Sequence, residues 1–119
     1  MEYMLLIYES EKARSQMPES ENGKMFTEYR AFTESIVKSG NFKAGAPLQP
    51  TAAATTVRLR NGKVATTDGP FAETREQLGG YYLIDAKDLD EACAIAARIP
   101  GARQGSIEVR PLMSMPPSR

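Results

Sequence analysis

The residues EYMLLIYE, from Glu2 to Glu9, decide the fold because they carry apolar side chains at both parities of one short run. Successive side chains of a strand point to opposite faces of its sheet. A strand with one wet face therefore alternates apolar and polar residues, and this run does not alternate between its two glutamates. We predict a strand that needs a cover on both faces of its sheet.

A second run, from Leu78 to Asp85, has the same two-sided apolar character and is entered through Gly79-Gly80, which favours a bulge. Asn61-Gly62 lies between two short β-type runs and is the strongest short signal for a hairpin. The remaining pattern predicts two helices, at 23–39 and 89–98, and strands at 42–48, 55–60, 63–67 and 106–112. The apolar stripe of the first helix is predicted to include Phe26 and Val37. The second helix is predicted to start from an N-cap at Asp88 and to bury Leu89, Ala92, Cys93, Ala96 and Ile99.

This order of elements predicts an α+β fold, a ferredoxin-like split βαβ arrangement with an inserted β-hairpin. Its two helices cover only one face of the sheet, yet two strands are apolar on both. The simplest cover for the second face is another copy of the chain, packed sheet to sheet with isologous symmetry. We therefore expect a homodimer that forms a dimeric α+β barrel, with one domain at 1–113 and a flexible C-terminal tail at 114–119.

The composition excludes several classes of function. Fifteen basic and fifteen acidic residues are mixed along the chain, so we expect no direct binding of nucleic acid. The chain has no histidine, which excludes Ser-His-Asp and Cys-His mechanisms. The single cysteine, Cys93, cannot form an internal disulfide, and the N-terminal apolar run is too short to cross a membrane. These features favour a cytoplasmic protein that does not contact a membrane.

The segment TTDGPFAETREQLGGYY, residues 66–82, holds most of the candidate site residues. In one interpretation Asp68 fixes the exit of the hairpin and Phe71 fills the edge of the core. In the other, Asp68 and Glu73 are catalytic carboxylates and Arg75 binds the carboxylate of a ligand through two hydrogen bonds. The spacing of the acidic residues matches no metal-ligand template, so we predict no metal and no other cofactor.

The segments "DGPFAETREQLGGYYLIDAKDLDEA" and "ARIPGARQGSIEVRPL", with the "YMLLIY" opening, resemble the DGPF group of the YCII-related family over nearly the whole chain. The resemblance implies a ferredoxin-like fold that dimerises as an α+β barrel. Some DGPF proteins accompany or are fused to extracytoplasmic-function sigma factors, and the wider superfamily includes isomerases, dehalogenases and monooxygenases. In the YCII-like branch a His on the first helix, with a nearby Asp, is the proposed catalytic pair, and Tyr29 stands at the matching position here.

Two functional hypotheses follow. The first is an accessory module that binds a small ligand or a protein partner, linked to the regulation of an extracytoplasmic-function sigma factor. The alternative is an isomerase or lyase acting on a small organic acid, with Asp68 or Glu73 as the base and Arg75 as the anchor. Tyr29 and Tyr82 are the candidate ligand-binding hydroxyls, and either could donate the proton.

Overall fold

The computed structural model describes residues 1–115, which form six strands and three helices. In chain order they are β1 (Glu2–Glu9), α1 (Glu11–Ser15), α2 (Glu19–Lys38), β2 (Phe42–Pro47), β3 (Thr55–Arg60), β4 (Lys63–Asp68), β5 (Gln77–Asp85), α3 (Leu89–Ala96) and β6 (Ser106–Pro111). The α+β class predicted from the sequence is confirmed. Residues 116–119 of the predicted tail lie outside the described residues. Across residues 1–115, no helix is both long enough and apolar enough to cross a bilayer.

The main sheet has four strands in the order β2-β5-β1-β6, and every neighbouring pair is antiparallel. β1 is central, with Leu5 opposite Tyr82 on one side and opposite Val109 on the other. Ile7 pairs with Gly80 whereas the next residue of β1 pairs with Leu78, so Gly79 is the extra residue of a β-bulge. The Gly79-Gly80 pair thus marks a bulge, as its sequence predicted.

The core lies between this sheet and one layer of helices. Tyr3, Leu5 and Ile7 of β1 point toward the helices and are buried, as are Tyr82 and Ile84 of β5. The helices and the turn after them complete the same cluster with Phe32, Ile36, Ala92, Ile95, Ala96 and Ile99.

α2 starts four residues before the predicted position, directly after Pro18, and α1 precedes it where no helix was predicted. Its C-terminus agrees with the prediction, because Gly40 follows the last turn with φ +83°. The apolar stripe is narrower than predicted. Phe26 and Val37 are exposed, since each lies about 100° around the helix from a buried neighbour and the sheet contacts only one narrow face.

α3 begins at its predicted cap, where the Asp88 carboxylate accepts a hydrogen bond from the Glu91 N–H. Its buried face differs from the prediction. Ile95 is buried, whereas Leu89 and Cys93 are exposed, because positions 92, 95, 96 and 99 share the stripe that faces the sheet.

None of the helices formed by residues 1–115 covers the other face of the main sheet. Met4 lies opposite Leu83 and Leu6 opposite Tyr81 on this open face, and all four side chains are half-buried. The smallest dimension of the molecule is 18 Å. That thickness fits one helix layer on one sheet, since a helix with its side chains is about 10 Å across.

β3 and β4 form a separate two-stranded sheet, named here the hairpin arm, residues 55–68. Asn61 and Gly62 both have positive φ, as the predicted tight turn requires. Only Thr56 among the strand residues of the arm is even partly buried. The arm therefore projects from the body of the molecule.

Two adjacent residues of α2 test this packing. Ile36 is 0% exposed and Val37 is 55% exposed. We expect Ile36→Ala to lower the free energy of unfolding by about 2–5 kcal/mol, since it leaves a cavity in the core. Val37→Ala should change it by less than about 0.5 kcal/mol. Urea denaturation followed by circular dichroism measures both, and equal losses would contradict the orientation of α2.

Candidate functional site

A cleft of about 1000 Å³ lies on the helix side of the sheet, between α2 and the edge formed by β2 and β5. Its walls are mainly apolar, and Phe26, Phe42 and Leu48 contribute to them. Polar groups gather at the end where β1 finishes. A largely apolar concavity with a few convergent polar groups is the usual form of a small-molecule site.

Glu9, the last residue of β1, is the centre of the polar end. Arg14 Nη1 donates to Glu9 Oε2 at 2.7 Å, and Tyr29 Oη donates to Glu9 Oε1 at 3.4 Å. Arg14 is itself positioned by Asn22, whose Oδ1 accepts from Arg14 Nε at 3.0 Å. Both carboxylate oxygens of Glu9 are thus engaged, one by a cation and one by a phenol.

The Tyr29 hydroxyl also accepts a hydrogen bond from the backbone. The Gly101 N–H donates to Tyr29 Oη at 3.2 Å. A Cβ at Gly101 would lie 2.6 Å from Tyr29 Oη and 2.7 Å from Glu9 Oε1, so a larger residue there would displace the ends of both side chains. Burial, with a further contribution from the Glu9 carboxylate, raises the pKa of Tyr29 above its ordinary value. Tyr29 is therefore a neutral hydrogen-bond donor at physiological pH.

Tyr82 forms the floor of the cleft. Its hydroxyl is 2.6 Å from Thr33 Oγ1, and its ring packs edge-on against Phe32 and Phe42. Gly45 on β2 lies opposite, where a Cβ would be 2.8 Å from the Tyr82 ring. The ring can occupy this position because β2 carries a glycine there.

A set of hydrogen bonds at Glu11 fixes the rim of the cleft. The Glu11 carboxylate accepts from the N–H of Thr51 at 2.8 Å and from its hydroxyl at 2.7 Å. The Glu11 N–H in turn donates to Gln77 Oε1 at 2.9 Å. These bonds tie α1 to the loop after β2 and to the start of β5, so the rim is joined across segments distant in sequence.

The structure separates the candidate site residues into two groups. Tyr29 and Tyr82 both line the cleft. Asp68, Glu73 and Arg75 do not line it, and all three are exposed.

Asp68 lies at the base of the hairpin arm, opposite Thr55. The hairpin exit is fixed there by the backbone, since the Gly69 N–H donates to the Ala54 carbonyl at 2.7 Å. Phe71 is largely exposed. The prediction that it fills the edge of the core is therefore wrong.

Sequence reasoning missed Glu9 and Arg14 as site residues. Glu9 attracted attention only as the polar end of an apolar strand, and Arg14 lies in a helix that was not predicted. The one local signal for Glu9 was a carboxylate at the end of an otherwise apolar strand, with Arg14 five residues further along the chain.

The Glu9–Tyr29–Gly101 contacts predict a dependence of stability on alkaline pH. Because the pKa of Tyr29 is raised in the folded state, the unfolded chain ionises this phenol first, near pH 10. Its contribution to stability is complete below that pH and falls as the pH rises further. We expect Tyr29→Phe to lower the free energy of unfolding at pH 7 by about 1 kcal/mol and to reduce the alkaline fall. Urea denaturation from pH 7 to 11 checks both, and an unchanged alkaline slope would contradict the assignment.

Comparison with known proteins identifies the relatives of this chain. A model of the YCII-related domain matches residues 1–116. An uncharacterised protein of Rhizobium meliloti (strain 1021) is 41% identical over 114 residues, which cover 94% of this chain and 92% of that protein. The two findings agree with the resemblance seen in the sequence, and the chain belongs to the YCII-related family.

Proposed function

We propose that the protein is a homodimeric accessory module whose cleft binds a small organic acid. The observation that carries this proposal is the cleft itself, about 1000 Å³ in volume, with apolar walls and charged groups at one end. Arg14 and Arg30 are the cationic side chains that line it. An apolar body would lie against Phe42 and Tyr82, and its carboxylate would face a guanidinium.

The anchor for the acid differs from the one that the sequence favoured. Arg75 is exposed and lies outside the cleft, whereas Arg14 reaches it next to Tyr29. Two carboxylates of the lining are already engaged, Glu9 by Arg14 and Glu11 by Thr51. Their negative charge is therefore partly compensated before a ligand arrives.

The dimer is proposed from the open face of the sheet. Leu6 and Tyr81 lie side by side there, next to the pair formed by Met4 and Leu83. An apolar patch of this kind on a central strand favours association. The strand order β2-β5-β1-β6 is the order of a ferredoxin-like split βαβ sheet, and two such sheets packed face to face make an α+β barrel. These features support the dimeric barrel.

Binding is preferred to catalysis because neither Glu9 nor Tyr29, at the polar end of the cleft, is free to act as a base. Tyr29 stays protonated at neutral pH, and Glu9 is held in an ion pair at 2.7 Å. Asp68 and Glu73 are exposed and lie outside the cleft, so neither is placed to act on a ligand bound there. An accessory role is the function that such a site fits best.

The link to an extracytoplasmic-function sigma factor is part of the same proposal and rests on the DGPF segment alone. In this role a metabolite in the cleft would alter how the module affects its partner. Asp68 and Phe71 of the DGPF loop, residues 68–71, are exposed, so another protein could contact this loop.

One observation favours an isomerase or lyase as the second candidate. The Glu9 carboxylate and the Tyr29 hydroxyl lie 3.4 Å apart in one cleft and could serve as base and proton donor. A substrate carboxylate that took over Arg14 would release Glu9 for this work. In this version Glu9 replaces Asp68 and Glu73 as the base.

Two arginines provide a matched test of the ligand. Benzoate and benzylamine share a ring and differ in charge. NMR titrations with both compounds therefore show whether the cleft binds an anion more tightly than a cation. We expect saturable binding of benzoate, weakened about ten- to a hundredfold by Arg14→Gln, as loss of a charged hydrogen bond predicts. Arg75→Gln should leave the affinity unchanged. The opposite ranking of the two variants would move the site to the DGPF loop.

The dimer is tested by sedimentation velocity at micromolar concentration. We expect the wild type to sediment as a dimer and Leu6→Glu as a folded monomer, because the new charge would be buried between the two sheets. Val37→Glu, on the helix side, should remain dimeric. A wild type that sediments as a monomer would refute the dimer and the barrel together.

A further inference from the structure

The hairpin arm carries an apolar surface that no other described residue of the chain covers. Val57, Leu59 and Val64 are 63%, 64% and 71% exposed. Leu59 pairs with Val64 in register, and Val57 is two residues along the same strand, so all three side chains share one face. The arm thus presents a contiguous aliphatic cluster of three side chains near its tip.

The two strands of the arm are not expected to be stable without further packing. An isolated two-stranded hairpin is marginally stable in water, and a third strand or a packed layer is needed to hold it. The overall shape agrees with an unsupported projection. The radius of gyration is 16.6 Å, whereas a compact chain of this length has about 13.5 Å. The arm therefore needs a surface to pack on that residues 1–115 of its own chain do not supply.

The base of the arm is fixed. The Gly69 N–H donates to the Ala54 carbonyl at 2.7 Å, and the Thr56 hydroxyl donates to the Gly69 carbonyl at 2.9 Å. Gly69 has φ +96°, a conformation that glycine adopts at no steric cost. A hairpin held in this way projects in a set direction, which suits docking on a partner.

The charges indicate what kind of partner this is. The arm contains Arg58, Arg60 and Lys63 and a single acidic residue, Asp68. The whole chain holds fifteen basic and fifteen acidic residues, so the rest of it has twelve basic and fourteen acidic residues. A positively charged arm and a negatively charged body in one chain are complementary between two copies.

We infer that the hairpin arm of one subunit packs its Val57, Leu59 and Val64 face on the body of a second copy of this chain. The inference rests on the homodimer proposed above and assigns a further part of its interface. Two-fold symmetry makes the contact reciprocal, so each body receives one arm. Exchange of arms would also supply the layer that the hairpin lacks.

The test replaces the cluster without disturbing the hairpin. The triple variant Val57→Thr, Leu59→Thr and Val64→Thr keeps good strand-forming residues while removing the apolar face. Ala65→Thr, on the opposite face of the arm, is the matched control. We expect the triple variant to raise the dissociation constant of the dimer at least tenfold by sedimentation equilibrium, and the control to leave it unchanged.

Hydrogen exchange of the arm amides gives the second measurement. In the wild-type dimer we expect protection of the amides of β3 and β4, and loss of that protection in the Leu6→Glu monomer. Equal protection in dimer and monomer would overturn the inference, since the arm would then pack within its own chain. A stable wild-type dimer with unprotected arm amides, and an unchanged dissociation constant in the triple variant, would overturn it as well while leaving the homodimer intact. A monomeric wild type would refute the homodimer itself.

Discussion

The structure depends on the central position of β1, a strand with apolar side chains on both faces. Its inward residues, Tyr3, Leu5 and Ile7, hold the two longer helices against the sheet. Its outward residues, Met4 and Leu6, face away from the helices and make the second face of the sheet apolar. One eight-residue strand therefore fixes the core of the chain and forms the apolar face on which the proposal of a homodimer rests.

The same strand also positions the candidate site. β1 ends at Glu9, and the bulge at Gly79 shifts the register of β5 just before that end. The turn that carries Gly101 comes up beneath the carboxylate and donates its N–H to Tyr29. The site thus forms where a central strand, a bulged neighbour and a tight turn meet, and none of these three depends on the DGPF loop.

Most of the architecture could be predicted from the sequence because its signals are local. Two-sided apolar runs, Asn61-Gly62 and the cap at Asp88 each act within a few residues, and the structure shows the strands, the hairpin and the helix start that they indicate. The prediction that Cys93 is buried was wrong because adjacent small residues allow more than one apolar stripe in a short helix. The site was less predictable, since the Glu9–Tyr29 contact joins residues twenty positions apart and depends on how α2 lies on the sheet. The charged loop at 68–76 was predicted as the site because of its composition. Which residues line the cleft depends instead on burial and on how segments distant in sequence pack together.

The contacts around the Tyr29 hydroxyl have a consequence for how the chemistry of this site could change during evolution. The two fixed contacts of the hydroxyl are a main-chain N–H and the Glu9 carboxylate, and neither requires a phenol in particular. An imidazole could use the same pair, with one nitrogen accepting and the other donating. A single nucleotide change interconverts tyrosine and histidine codons, so position 29 can pass between a neutral donor and a proton shuttle while the scaffold stays intact. A residue larger than glycine at position 101 would displace both Tyr29 Oη and Glu9 Oε1. Related proteins that keep this arrangement are therefore expected to vary more readily at position 29 than at position 101.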